Sequence, residues 1–409
     1  MTAQAMQFSD VWIPYGSYWS TPFCAWQGSL ASLAPIPFAA DVARRALTER
    51  SIAPTDIDGL CLGTTVPSRH SFYGAPWFAG LAGLGHVTGP TINQACATSV
   101  RCLVQAAQEL SSGSATTYLA VAADRTSNGP HIYYPTPEGV GGTGESENVV
   151  LDSFSHDPHA RNSMLETAEN AARSEDVSRA AQEEVTLLRY RQYASALEND
   201  GAFLSRFLVR PLEVRDARGK RVIATVAGDE GVHPTTAQGL AALKPVMAGG
   251  SVTFGTQTHP ADGNAAMLLV NSRERARSLS HGGVADVRLV SFGQARVEKG
   301  FMPTAVVPAA QLALQRAGID AADLESVTTH NPFAVNDVVL ARALGLDQER
   351  INRHGCSLVW GHPQGPTGLR AVIELVEDLV LRGGGFGLFT GCAAGDSAAA
   401  VVVKVEISS

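Results

Sequence analysis

The feature that most constrains this chain is a pattern it carries twice: helix, short turn, apolar strand, in the same order and at nearly one offset. Residues 39–47 have apolar side chains at spacings of three and four. They lead through Ile52-Ala53-Pro54 and an acidic turn to Gly59-Leu60. Residues 308–314 repeat this and lead through Gly318-Ile319 to Asp323-Leu324-Glu325-Ser326-Val327. Segments 98–110 and 367–379 then match as a second pair of helices, each followed by a glycine turn and an apolar strand, at 118–122 and 386–390. Asp58 and Glu325 lie 267 positions apart, Arg101 and Arg370 269. Alternating strands and helices in two matched sets predict an α/β fold of two similar halves, with sheets covered by helices. Residues 121–250 break the pattern. They read as a polar loop at 128–148, a helix from about 175 to 199 starting at Ser174, and extended chain at 207–226 interrupted by a basic turn at 215–221. This block is expected to be an inserted loop domain or lid. The first half is then 1–120 plus 251–280, the loop domain 121–250 and the second half 281–409.

Composition removes several classes of function. Hydrophobic residues make up 45% of the 409 and charged residues 17%, which suits a large core and not a disordered chain. A net charge of −8 without a long basic run argues against nucleic-acid binding. Residues 11–40 carry no charge, but Pro14, Pro22, Pro35 and Pro37 interrupt them, so they read as buried strand, loop and helix start, not as a membrane span. No signal-peptide pattern opens the chain. The six cysteines (Cys24, Cys61, Cys96, Cys102, Cys356, Cys392) are too sparse for a disulfide framework and form no Cys-x-x-Cys pair. No metal site and a reduced, cytoplasmic compartment are the expectations.

Four motifs carry reactive side chains. Cys96, in Asn93-Gln94-Ala95-Cys96-Ala97-Thr98-Ser99, stands where an apolar strand gives way to a helix. Free N–H groups and the helix dipole there favour a thiolate, although a small core cysteine reads the same way. Gly361-His362-Pro363-Gln364-Gly365-Pro366-Thr367-Gly368 leads into the second matched helix. By the repeat it holds the place in the second half that Cys96 holds in the first, so the two turns are expected to meet and His362 to take the thiol proton. A histidine in such a turn otherwise caps or bonds the loop. Gly391-Cys392-Ala393-Ala394-Gly395-Asp396-Ser397 follows an apolar strand and reads either as an anion-binding nest of N–H groups or as a tight hairpin with an inert cysteine. His330-Asn331 end another strand, where α/β sites gather.

In this order the set resembles the thiolase family. Ser29-Leu30-Ala31, Thr167-Ala168-Glu169-Asn170, Asp229-Glu230-Gly231-Val232, Leu243-Lys244-Pro245-Val246, Asp262-Gly263 and all of 308–405 extend the resemblance over nearly the whole chain. It implies duplicated α-β-α-β-α layers, with two pseudo-two-fold-related halves and the inserted loop domain. It implies an acyltransferase of the acetyl-CoA C-acyltransferase class, which cleaves 3-oxoacyl-CoA by thiolysis or forms it by Claisen condensation. Coenzyme A or acyl-CoA would be substrate, with no tightly bound cofactor. Cys96 would carry the acyl group, His362 activate it, and Cys392 exchange the α-proton. Oxyanion donors would be His362, His330 or a water, and the N–H groups of Cys96 and Ala394, with Asn331 and Gly395 orienting them. Met164, Thr258 and His259 would face the coenzyme, and Arg218, Lys220 and Arg221 its phosphates, a solvated basic turn being the alternative. A homodimer through the edge of the first-half sheet, or a homotetramer, is implied.

The departures from the family pattern cluster on the acyl and pantetheine side. His330-Asn331-Pro332-Phe333 replaces the common Asn-Glu-Ala-Phe, so a direct His330 donor replaces a bound water and the acidic second residue is missing. Ser163-Met164-Leu165-Glu166, Thr258-His259-Pro260 and Gly391-Cys392-Ala393-Ala394-Gly395 also differ. They imply an unusual acyl group or acyl carrier, an acyl carrier protein included. Trp19, Trp26, Phe72, Tyr73, Trp77, Tyr133 and Tyr134 hint at an apolar acyl pocket. Two other readings remain open: a ketoacyl-synthase-like condensing enzyme, and a non-catalytic thiolase-like subunit that binds acyl-CoA or a partner.

Overall fold

The computed structural model describes residues 8, 10–216 and 218–408. At its centre is a mixed sheet of eleven strands. From edge to edge run Leu324–His330, Gly385–Ala393, Ser397–Ile407, Ala285–Arg296, Trp12–Pro14, Ala261–Val270, Thr117–Arg125, Gly59–Gly63 and Thr91–Ile92. Tyr18–Ser20 and Cys24–Ala25 also pair with Ala261–Val270. The repeat seen in the sequence is a repeat in topology. Gly59–Gly63 is parallel to Thr117–Arg125, which is antiparallel to Ala261–Val270. Leu324–His330 is parallel to Gly385–Ala393, which is antiparallel to Ser397–Ile407. The short strand Trp12–Pro14 joins the halves by pairing with both Ala285–Arg296 and Ala261–Val270.

The second matched pair of helices, Thr98–Ser112 and Pro366–Leu381, packs together in the middle layer. The first pair, Pro35–Glu49 and Val306–Ala317, covers the outer faces. Helices thus lie outside and between the two halves of the sheet, in α-β-α-β-α layers. Pro366–Leu381 starts on a proline, whose missing N–H costs nothing at the first helical position. Its residues from Pro366 to Leu379 are all buried. It therefore carries charge into the interior, which is tolerable only if every charge is paired. Arg370 donates to both carboxylate oxygens of Asp229 at 2.6 and 2.7 Å and to Glu374 at 3.0 Å, with its guanidinium over the rings of Trp360 and Phe23. Glu377 accepts from Tyr18, Tyr15 and Arg206. Asp229 and Arg206 belong to the inserted segment, so these ion pairs fasten it to the central helix.

The insertion leaves the sheet after Arg125 and returns at Ala261, where the second half makes only a tight turn between Ala393 and Ser397. The expected limit at 120/121 therefore falls inside a strand, and that at 250/251 falls short of the next one. The helix expected over 175–199 is Arg179–Ala196, and a separate helix, Met164–Ser174, ends where it was expected to start. Asp176 has φ of 49°, which breaks the helix, and Ser178 caps the new one by accepting from the N–H of Ala181 at 3.2 Å. The expected loop at 128–148 contains a hairpin, His131–Tyr134 with Glu145–Asn148. The basic turn, apart from Ala217, which lies outside the described residues, is the tip of the hairpin Leu212–Arg215 with Val222–Val226.

Replacing Arg370 by Ala strands two buried carboxylates. The expected cost is about 3–5 kcal/mol, the range for breaking a buried pair. A denaturant midpoint unchanged from wild type would contradict it.

Candidate active site

Cys96 is set by a strained turn. The strand Thr91–Ile92 ends, and Ala95 adopts φ of 45°, a left-handed conformation that a residue with a side chain rarely takes. Three hydrogen bonds hold it: Ala95 N–H to Asn93 Oδ1 at 3.0 Å, Thr98 Oγ1 to Ala95 O at 2.7 Å, and Gln94 N–H to Thr98 Oγ1 at 2.8 Å. The helix starts at Thr98, so Cys96 lies in the turn before it.

His362 comes from the Gly-His-Pro turn of the other half. Its Nε2 is 3.2 Å from Cys96 Sγ and its Nδ1 is 2.6 Å from Thr367 Oγ1. In the tautomer that accepts the thiol proton, Nδ1–H donates to Thr367. Gln364 Oε1 is a second acceptor for the thiol, at 3.7 Å. The His330 ring stacks on His362 with centroids 4.0 Å apart and planes 26° apart. His330 Nδ1 is 2.9 Å from Ser357 Oγ, and its buried Nε2 has no partner. Cys392 lies at the end of the strand Gly385–Ala393, and its Sγ accepts from Asn336 Nδ2 at 3.2 Å. Ala394 follows, with its N–H directed at Cys96.

Electrostatics make this a neutral site at rest. Burial pushes the Cys96 thiol up to about 11, against the pull of the N–H groups of Ala394 and Cys96. Desolvation thus works against the thiolate that the helix start was expected to favour. Burial, and then the charge of Cys96, push Cys392 up. Burial lowers His330 to about 3 and His362 well below its usual value, the latter with help from His330. The ligand atoms of Cys96, His330 and His362 lie within 4.8 Å of one another. Two nearly parallel stacked rings cannot both point in-plane lone pairs at one ion, so this is a hydrogen-bonding array and a poor metal cage.

A cavity of about 360 Å³ opens onto Cys96 and His362. The inserted segment supplies much of its wall: Leu151 and Phe154 of the helix Leu151–Ser155, then Met164 and Thr258, while Met302 and Phe333 come from the second half. Of the residues expected to face the coenzyme, Met164 and Thr258 line it. His259 does not; its ring lies behind the turn, against Gly361 and Gly231. Arg218, Lys220 and Arg221 sit exposed on the hairpin tip, where Asp216 accepts the N–H groups of Arg218 and Lys220, and none lines the cavity. Gly395 is turned to Arg296, which donates to its carbonyl. Asn331 points away from the cavity, toward Asp337, Cys356 and Ser357. None of the seven aromatic residues singled out in the sequence lines the cavity; its rings are Phe154 and Phe333. Sequence reasoning missed Asn336, Ser357 and Asp124. Asn336 stands in the first turn of the helix after His330-Asn331-Pro332-Phe333, a place that could have marked it.

Comparison with known proteins decides the family. Residues 17–273 match the thiolase N-terminal domain and 284–405 the thiolase C-terminal domain. The chain belongs to the thiolase family. It is 30% identical to beta-ketothiolase BktB of Cupriavidus necator over 92% of this chain and 95% of that one. It is 28% identical to an acetyl-CoA acetyltransferase of Escherichia coli over 94% and 96%. The crystal structure of human mitochondrial 3-ketoacyl-CoA thiolase in complex with CoA superposes with a TM-score of 0.88 at 26% identity, over 98% of this chain and 100% of that one. As a member this thiolase is an acyltransferase that cleaves or condenses acyl-CoA thioesters. No helix of the described residues is long and apolar enough to cross a membrane.

The neutral Cys96–His362 pair has a kinetic signature. Alkylation of Cys96 by iodoacetamide should climb about tenfold per pH unit from pH 7 to 10 without levelling off, as a thiol with a value near 11 requires. A plateau near neutrality would reveal a standing thiolate–imidazolium pair instead.

Proposed function

We propose that Cys96 is the acyl-carrying nucleophile of this thiolase, that His362 is its base, and that Cys392 moves the α-proton. The observation that carries this is the 3.2 Å approach of His362 Nε2 to Cys96 Sγ at the floor of an apolar cavity. An incoming acyl thioester is attacked by Cys96 as its proton passes to His362. The coenzyme thiol leaves with that proton, and the acyl group stays on sulfur. For condensation, the Cys392 thiol first gives its own proton to His362, free again once the coenzyme has left, and the resulting thiolate takes a proton from the α-carbon of an acetyl thioester. The carbanion displaces the acyl group from Cys96, whose sulfur takes back the proton held by His362, and thiolysis is the reverse. Charge on the thioester oxygens meets His330 Nε2 and the N–H groups of Cys96 and Ala394.

The coenzyme and its acyl esters are the substrates this reading requires, entering past Met164 and Thr258. A homodimer fits the exposed two-residue strand Thr91–Ile92 at the sheet edge, beside exposed Phe72 and Tyr73. Six unpaired cysteines suit a reducing cytoplasm. A second reading, decarboxylative condensation, draws on the stacked His330–His362 pair beside Cys96. Extension of malonyl thioesters alone, with release of carbon dioxide, would select it over the thiolase reaction.

Incubation with acetyl-CoA should add an acetyl mass to the Cys96 peptide and add none in Cys96→Ala. Absence of the increment in the wild-type chain would favour a binding subunit. Cys392→Ser should keep this acylation and lose most condensation, and equal loss of both half-reactions would contradict separate roles. His362→Ala should slow acylation by roughly 10²–10⁴-fold, the usual worth of a general base.

A further inference from the structure

His330 reaches the reacting atoms with one ring nitrogen and the protein interior with the other. A neutral imidazole has a single N–H, and which nitrogen carries it is set by the partner of the other. Only with the proton on Nε2 does His330 offer a donor to a thioester oxygen. With the proton on Nδ1 it offers a lone pair, which repels a developing oxyanion.

The partner of Nδ1 is Ser357 Oγ at 2.9 Å, on the first residue of the fully buried short helix Ser357–Trp360. Ser357 has one proton and two lone pairs. The N–H of Asn331 occupies one lone pair at 3.1 Å. The proton has two acceptors in reach, His330 Nδ1 at 2.9 Å and Asn331 Oδ1 at 3.1 Å. Asn331 cannot rotate its amide to offer anything else. Its Nδ2 donates to Asp337 Oδ2 at 2.8 Å and to Cys356 Sγ, and its Oδ1 already accepts the N–H of Leu358 at 3.2 Å. Asp337 is itself held by buried Arg189 at 2.7 Å and Thr329 Oγ1 at 2.7 Å. The oxygen of Asn331 is thus already supplied with a donor, while Nδ1 has only Ser357.

We infer that Ser357 is a positioning residue that donates its hydroxyl proton to His330 Nδ1 and so fixes the Nε2–H tautomer that faces the substrate. Asn331 and Asp337 hold Ser357 to that task by satisfying their own groups elsewhere. The inference rests on the oxyanion role proposed for His330, but its test separates the two.

The test uses the full chain labelled with ¹⁵N-histidine, in wild type, Ser357→Ala and Ser357→Thr, with His330→Asn identifying the His330 signals by their loss. The ring nitrogen shifts of wild type should show a protonated Nε2 and a bare Nδ1. Ser357→Thr should keep that pattern, and Ser357→Ala should move it toward protonated Nδ1. In parallel, kcat for condensation should fall in Ser357→Ala by roughly 10–10³-fold, up to the cost of losing one oxyanion donor. KM should change little, and Ser357→Thr should recover most of the rate. An unmoved tautomer signature in folded Ser357→Ala, or protonated Nδ1 in the wild type, would overturn the inference. A signature that moves in a chain whose condensation rate does not would uphold the positioning role and remove His330 from the oxyanion hole.

Discussion

The site exists because one buried carboxylate holds two distant turns together. Asp124, at the end of the first-half strand Thr117–Arg125, receives only donors. Thr64 Oγ1 and the N–H groups of Thr65 and Val66 reach one oxygen at 2.9, 2.8 and 3.0 Å. Thr65 Oγ1 and the N–H of Gly365 reach the other, each at 3.0 Å. Gly365 lies between His362 and Thr367, so this bond docks the histidine-bearing turn of the second half on the cysteine-bearing half. A Cβ at 365 would come within 2.7 Å of the carboxylate, so glycine is required for the approach. Ser99 Oγ adds a second tie a turn further on, accepting the N–H of Leu369 at 2.8 Å. Burial nevertheless raises Asp124 to about 6. The folded state therefore keeps a proton the unfolded chain has lost between about pH 4 and 6, and stability falls as pH rises through that window. The clamp is held at a cost to the fold, as is common for groups that serve a site.

The same dryness governs the chemistry. Cys96, Cys392, His330 and His362 are all kept neutral by burial. A ground-state ion pair would already have relaxed its surroundings around charge. In the proposed mechanism charge appears only as the thioester is attacked, and it appears among dipoles fixed in advance: two backbone N–H groups and imidazole edges. The unpartnered Nε2 of His330 carries the cost of a buried polar atom, which the proposed contact with a substrate oxygen would relieve.

Much of this was legible in the sequence because duplication is a pattern over long spans. Two helices and two strands at nearly one offset foretold the repeated topology and the meeting of the Cys96 and His362 turns. What was hidden depended on single side chains crossing between segments with no periodic signal. Asn336, Ser357 and Asp124 look like ordinary polar residues until the chain is folded. Charge density singled out the basic turn 218–221, and what sequence could not show is that the hairpin holds it exposed, apart from the residues that line the cavity. The opposition to a thiolate at Cys96 was hidden for a similar reason, since a helix start is visible in sequence and the burial that raises the thiol is not.

The inserted segment is more than a cover over the cavity. Leu151, Phe154 and Met164 form one wall, yet its deepest contacts lie behind the reacting atoms. Arg189 is fully buried, and its guanidinium meets Asp337, Gln192, Gln348 and the carbonyl of Ile351. Asp229 pairs with Arg370 in the central helix and also accepts from Tyr193 and the N–H of Phe23. A segment that could swing open freely would have to unpair these charges in a dry interior, where a lone ion is far costlier than a lost contact. The insertion thus has two parts: Arg179–Ala196, tied by a buried ion pair to the second half behind the site, and the short helix Leu151–Ser155 with Met164, which lines the cavity.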